Sequence, residues 1–433
     1  MSTPLFCRFG SLLLLSAAAS ASAADLVLHK APPLTVEQAP HYPQNLARID
    51  LGAHIEMTPR SDATALLSGD PKVACSLPTG GSSILISLDK IEHVDSLAFT
   101  SSGAKGTVSI AISNANLAST SSQWREASKR ELSGGLISAK IGPTEAKYVR
   151  LSFDLNEPGH ISGLGVYAAP GVSDFTMPRP RRAITGEIAQ VNYNLTDLHT
   201  KARALYVSSG DDPRSANNMI DDQPATAYTF SSTDNAPTAI IDLGREMSLR
   251  RISVLSTAGA GAVNFYLLSA LPVGGRDATA DTKPAGAPSA SGVIEGTPAA
   301  NVPDTLRLDE GALAALKSVG SATDDGSGRA SVDFPDTSGR YIMMKWTLPG
   351  ANRSFSVAEM TVFGRGTSNM LFAANSVVDY SGKNVRDAKD GKDTKDFKDV
   401  PAEGPEAPAE GPPPALPQPP PFVFIPEITP TSP

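Results

Sequence analysis

The sequence predicts an all-β chain in which one module of short antiparallel strands occurs twice, followed by a tail of different material. Three observations carry this expectation. Apolar and polar residues alternate in short runs punctuated by Gly, Ser, Asn and Pro, as half-buried strands require. The same order of motifs appears in two places. Finally, 13 of the 36 prolines lie between Pro401 and Pro433, so the folded part is shorter than the 433 residues.

At the N-terminus Arg8 precedes Leu12-Leu13-Leu14-Leu15 and the small residues Ala17 to Ala24, with an Ala21-Ser22-Ala23 cleavage pattern. This reads as a signal peptide over 1–24, too short for a membrane span, and predicts a secreted or periplasmic protein whose Ala-rich leader has a bacterial character. Its removal takes Cys7 and leaves Cys75 as the one thiol, so no disulfide can form within the mature chain. Cys7 precedes the apolar stretch, the wrong side for a lipid-anchoring cysteine. The balance of 37 Lys+Arg against 45 Asp+Glu gives a formal charge of −8 and no basic footprint for nucleic acid. With 40% hydrophobic and only 19% charged residues, neither a wholly disordered chain nor a coiled coil is expected.

After an N-terminal extension, 25–44, the first module runs over 45–169. Ser83–Leu88, Gly106–Ile112 and Lys147–Phe153 alternate with period two and helical periodicity is nearly absent, which indicates a β-sandwich or barrel. A linker over 170–193 leads to the second module, 194–366. Corresponding motifs are offset by 149 (Asn45 to Asn194), 155 (Leu88 to Leu243), 193 (Tyr148 to Tyr341) and 196 (Tyr167 to Phe363). Only the third step jumps, so the second module carries an insertion, about 272–339, rich in Ala, Gly, Pro, Ser and Asp. It reads as a surface segment, with a short helix over Asp309–Val319 through Leu313 and Leu316.

The second module contains, in order, Asn194-Leu195, Met219-Ile220-Asp221-Asp222-Gln223-Pro224-Ala225-Thr226-Ala227-Tyr228, Ile240-Ile241-Asp242-Leu243-Gly244, Arg340-Tyr341-Ile342-Met343 and Val357 to Gly364. This series resembles the discoidin domain, the coagulation factor 5/8 type C, galactose-binding-like family. The first module resembles it more distantly, and the two together cover about two thirds of the chain. The resemblance implies two tandem antiparallel jelly-roll β-sandwiches whose ligands bind in loops at one end. It also implies a structural calcium in the second sandwich only, held by Asp221, Thr226 and Glu359. There Asp222 replaces the family's Gly and Tyr228 its Trp, while the first sandwich has Ser68, Val73 and Gly163 at the three ligand positions and Cys75 for the Trp. The alternative reading of Asp221 and Asp222 is that of ordinary turn acids.

Sugar recognition combines an aromatic platform with a few orienting polar groups. By that rule Tyr228, Phe230, Asn352 and Arg353 are the candidate ligand-binding residues. Trp346 and Trp124 read as packing residues. No catalytic set passes its context test. Gly163 to Ala168 mimics a dinucleotide glycine pattern but lies in a strand, and the six histidines show no metal-ligand spacing. Asn194-Leu195-Thr196 and Asn352-Arg353-Ser354 are glycosylation sequons, relevant only in a eukaryotic host.

From Lys389 a Lys-Asp pair repeats every three residues, and Pro-rich sequence follows, so 367–433 reads as a disordered tail. Its Phe422-Val423-Phe424-Ile425 cluster suits docking on an envelope or extracellular protein partner. The expected function is a secreted, non-catalytic protein that recognises an extracellular glycan or surface polymer through its loops. The alternative is a structural component of an extracellular or cell-envelope assembly. An enzyme ranks third, because no span is left to hold a catalytic domain.

Overall fold

The computed structural model describes residues 25–169, 171, 194–259, 261–272, 302–324, 326–350 and 353–364. The expected signal peptide and tail, nearly all of the expected linker, much of the insertion and Asn352 lie outside the described residues.

The strands in chain order are β1 (Leu26–Lys30), β2 (His54–Thr58), β3 (Cys75–Leu77), β4 (Gly80–Ser102), β5 (Lys105–Ser113), β6 (Arg125–Leu132), β7 (Gly135–Glu157) and β8 (Gly159–Ala168). They continue as β9 (Arg203–Val207), β10 (Tyr228–Phe230), β11 (Thr238–Ser256), β12 (Ala262–Leu268), β13 (Thr305–Leu308), β14 (Ser318–Thr323), β15 (Arg329–Thr347) and β16 (Phe355–Gly364). All pairings are antiparallel, in two separate sheets.

In the first sheet the order is β3-β8-β4-β7-β5-β6, with β2 on β4. Ser82, Ile84, Ile86 and Leu88 of β4 point inward while Ser83, Leu85 and Ser87 stay half-exposed, the alternation the sequence predicts. The register breaks between Ser87 and Glu92. Before the break β4 pairs with β2 and the C-terminal part of β7; beyond it, with β8 and the N-terminal part of β7. Ile84 and Ile86 from one half and Val94, Leu97 and Phe99 from the other join one core, so the bent ladder folds over on itself as a sandwich.

The second sheet repeats this plan. Its pairs β10-β16, β16-β11, β11-β15, β15-β12, β12-β14 and β9-β11 match the first sheet's β3-β8, β8-β4, β4-β7, β7-β5, β5-β6 and β2-β4 one for one. The registers agree as well: Ser87 faces Tyr148 as Asp242 faces Tyr341, and Ser96 faces Tyr167 as Arg251 faces Phe363, consistent with the sequence offsets. One clasp recurs in both. The Oδ1 of Asn45 accepts from the amides of Ala47 and Val166, each at 3.0 Å, and the Oδ1 of Asn194 accepts from those of Thr196 and Val362, each at 3.0 Å. Asn194 is only 4% exposed, so the folded chain does not present its sequon.

The structure departs from the sequence reading in two segments. Within the extension, β1 adds to β9 through His29 and Lys30 and to β13 through Leu26–His29, while Ala31, Leu34, Ala39 and Tyr42 pack into the second core. Residues that precede the first sandwich thus complete the second. Within the insertion, β13, β14 and the first half of β15 are integral strands. The helix is shorter than expected, Glu310–Ala315, capped by Asp309 accepting from the Ala312 amide at 2.7 Å. Leu316 is already extended, and Ser318–Thr323 is held by the edge of β12 as β14.

Candidate functional site

The loop that carries the expected calcium ligands leads from a 3-10 turn, Pro213–Met219, to β10. Asp221 is fully buried. Its Oδ1 accepts from the Gln223 amide at 3.1 Å, and its Oδ2 from the Thr226 hydroxyl at 2.7 Å and the Gln223 side-chain amide at 3.1 Å. Burial pushes its carboxyl well above the ordinary range. Asp222 adopts the left-handed conformation, φ 59°, one of the few non-glycine residues here to do so. Its carboxylate takes both arms of a guanidinium from the first sandwich, with Arg48 Nε at 2.6 Å from one oxygen and a terminal nitrogen on the other.

Arg48 is 5% exposed and also donates to the carbonyls of Ala47 at 3.0 Å and Leu164 at 2.9 Å. Burial disfavours its charge, but Asp222 more than offsets that, and the guanidinium stays above its usual range. Tyr167, also of the first sandwich, donates its hydroxyl to the Asp222 carbonyl at 3.0 Å. Glu359 of β16 is 4% exposed, and neither carboxylate oxygen has a hydrogen-bond partner. Burial, then Asp222 and Asp221, push it well above the ordinary range.

The structure therefore brings Asp221, Thr226 and Glu359 into one buried neighbourhood, but their oxygens decide whether calcium fits. The ion takes roughly six to eight oxygen ligands. Both oxygens of Asp221 and both of Asp222 already accept from donors, and only those of Glu359 are free. Among the described residues no three His, Cys, Asp or Glu side chains are grouped to hold a metal ion. The side chains as arranged do not fit calcium.

Of the candidate ligand-binding residues, the structure turns the two aromatics away from solvent. Tyr228 and Phe230, read from sequence as loop aromatics, face the core of the second sandwich at 0% and 2% exposure. Their rings meet edge to face at 4.9 Å, and Phe230 stacks on Phe355 at 5.6 Å. The Tyr228 hydroxyl donates to the Ser209 carbonyl at 2.6 Å. The physical reason is alternation: in Tyr228-Thr229-Phe230 the rings point inward and Thr229 outward, toward Ser356. Buried rings offer no face to a sugar. Arg353 is exposed, while Asn352 lies outside the described residues.

A different concavity opens on the first sandwich. It holds about 440 Å³ between Ser113 and Asn114 after β5, Gln123 and Arg125 at the start of β6, and Thr144 and Glu145 of β7. Arg125 donates to the Thr144 hydroxyl and, at 3.4 Å, to the Glu145 carbonyl. The loop that forms one wall is pinned. Trp124 donates from Nε1 to the Ala118 carbonyl at 2.9 Å, and Arg150 lies 4.6 Å from the Trp124 ring centroid while donating to the Ser119 carbonyl. Sequence reasoning missed this groove because its polar side chains come from three separated segments.

It also missed Arg48. The usable signal is that the offset of 149 sets Arg48 against Asp197, so the two modules carry opposite charges at one position.

No family model and no curated protein sequence matches the chain. Solved structures show distant likenesses. A fucolectin from the serum of striped bass, Morone saxatilis, is 17% identical, with 75% of this chain and 99% of that one covered and a TM-score of 0.25. The chitosan-binding module 1 of a chitosanase/glucanase from Paenibacillus is 14% identical over 40% of this chain and 99% of that one, with a TM-score of 0.27. Allantoicase from Saccharomyces cerevisiae is 11% identical over 76% and 96%, with a TM-score of 0.27. At these identities and scores the likenesses do not extend to what those proteins bind or catalyse.

Proposed function

We propose that this protein is a secreted, non-catalytic binding protein that recognises an extracellular glycan or a similar hydroxyl-rich polymer, and that it does so through the first sandwich. The observation that carries the reading is the groove. A polyol is held by paired donors and acceptors, and the groove offers the Asn114 and Gln123 amides, the Arg125 guanidinium, the Ser113 and Thr144 hydroxyls and the Glu145 carboxylate around one concavity. The fixed wall loop supports this use, because a polar site that does not have to be ordered on binding keeps more of its interaction energy. A glycan array with the mature chain is the test. Binding that is lost in Arg125→Ala and kept in Arg353→Ala is expected; binding lost only in Arg353→Ala places the site elsewhere.

A second reading, a structural component of an envelope or extracellular assembly, is favoured by a separate observation. The two sandwiches are joined by the buried ion pair of Arg48 with Asp222, by the half-buried Arg251 with Asp70 at 3.0 Å, and by Arg329 donating to Ser162 at 2.8 Å. Such a unit suits a rigid spacer, with residues 367–433 as its connector to a protein partner. An array blank for the wild-type chain, together with specific crosslinks from the tail to one envelope protein, favours this reading over the first.

A further inference from the structure

Asp221, Asp222 and Glu359 are buried carboxylates of the second sandwich, facing the first. Charged groups stay out of water only when an opposite charge, a proton or a metal ion accompanies them. Asp221 is served by donors of its own loop. Asp222 is served by Arg48. Glu359 has no hydrogen-bond partner at either oxygen, and the Arg48 charge favours its ionised form against the opposing charges of Asp222, Asp221 and Asp197.

The first sandwich holds that cation rigidly. Arg48 follows the Asn45 clasp by three residues, and its guanidinium is fixed by two backbone carbonyls before it reaches Asp222. The facing surfaces also touch beside this pair: Pro224 packs against Gly163, the first sandwich's counterpart of Glu359, with its Cγ 3.5 Å from where a Cβ on Gly163 would stand. The first sandwich thus supplies a base, and no acid of its own at that position, where the second supplies acids.

We infer that Arg48 is the resident cation of this acid cluster, in the place where the discoidin resemblance implies calcium, and that docking of the first sandwich closes the cluster to metal ions. The inference rests on the interface and is independent of the glycan reading. It makes the second sandwich metal-independent by borrowing a charge from its neighbour.

The test uses the full mature chain and two variants, Arg48→Met and Arg48→Lys, with melting followed in calcium and in chelator and with terbium luminescence as a direct probe of the site. The wild-type chain is expected to melt at the same temperature in both buffers and to leave terbium unbound. Arg48→Met is expected to melt lower in chelator, to recover in calcium, and to bind the ion at least about tenfold more tightly than the wild-type chain does. Calcium-dependent melting or stoichiometric terbium binding in the wild-type chain overturns the inference. So does an Arg48→Met variant that melts like the wild type in chelator. If Arg48→Met folds in neither buffer, Arg48→Lys decides. A lysine variant that folds without responding to calcium supports the inference, and one that is equally unfolded, or that responds to calcium, overturns it.

Discussion

Replacing Asn194 with Ala tests how each sandwich is closed. Its Oδ1 is the acceptor for the buried amides of Thr196 and Val362, both at 3.0 Å, and for the Thr196 hydroxyl at 2.6 Å. That hydroxyl keeps a second acceptor, the Met360 carbonyl at 2.9 Å, so the truncation strands two backbone N–H groups. A buried donor left without an acceptor costs about 1–3 kcal/mol, so Asn194→Ala is expected to cost roughly 2–6 kcal/mol. At about 2–4 °C per kcal/mol for a unit of this size, Tm falls by roughly 4–24 °C. Asn45→Ala strands the amides of Ala47 and Val166 in the same geometry and is expected to cost the same within about 1 kcal/mol. Calorimetry of the mature chain and both variants measures this. A loss below about 0.5 kcal/mol for either, or a large inequality between them, refutes the claim that one clasp closes both sandwiches.

Phe230→Ala removes a ring that contacts Phe355 and Trp346 in the core and is expected to cost about 3–5 kcal/mol in a denaturant titration while leaving glycan affinity unchanged. Loss of binding at unchanged stability would place Phe230 in a ligand site instead. The acid cluster sets a pH dependence of definite sign. Glu359 and Asp221 titrate above their unfolded values, so the folded chain binds more protons; their contribution is fully present below the unfolded carboxylate pKa and is lost as pH rises through the folded values. Arg48 opposes this loss, and Asp222 and Asp197 add to it. Glu359→Gln is therefore expected to raise Tm at pH 7 to 8 and to flatten the fall of Tm with pH relative to wild type. A lower Tm for the variant at every pH contradicts the reasoning.

Local pattern made much of the fold legible. Alternation in Ser83–Leu88 marks β4, and the four offsets between Asn45, Leu88, Tyr148, Tyr167 and their counterparts agree with registers found in the sheets. What stayed hidden depends on long-range pairing. Nothing in Leu26–Lys30 says that it pairs with β9 and β13, because a five-residue apolar strand carries no address. In the sequence Tyr228 and Phe230 look like loop residues, because a three-residue strand is too short for its alternation to stand out. Arg48 resembles any arginine until the second sandwich places Asp222 against it. The groove needs the ends of β5, β6 and β7 side by side before its polar side chains share a space.

The most direct measurement is a calorimetric titration of the mature chain with the best glycan from the array, repeated on Arg125→Ala and Glu145→Gln. One site per chain is expected, with binding weakened at least about tenfold in each variant and Tm nearly unchanged. Full affinity in both variants, with a Tm equal to wild type, would contradict it.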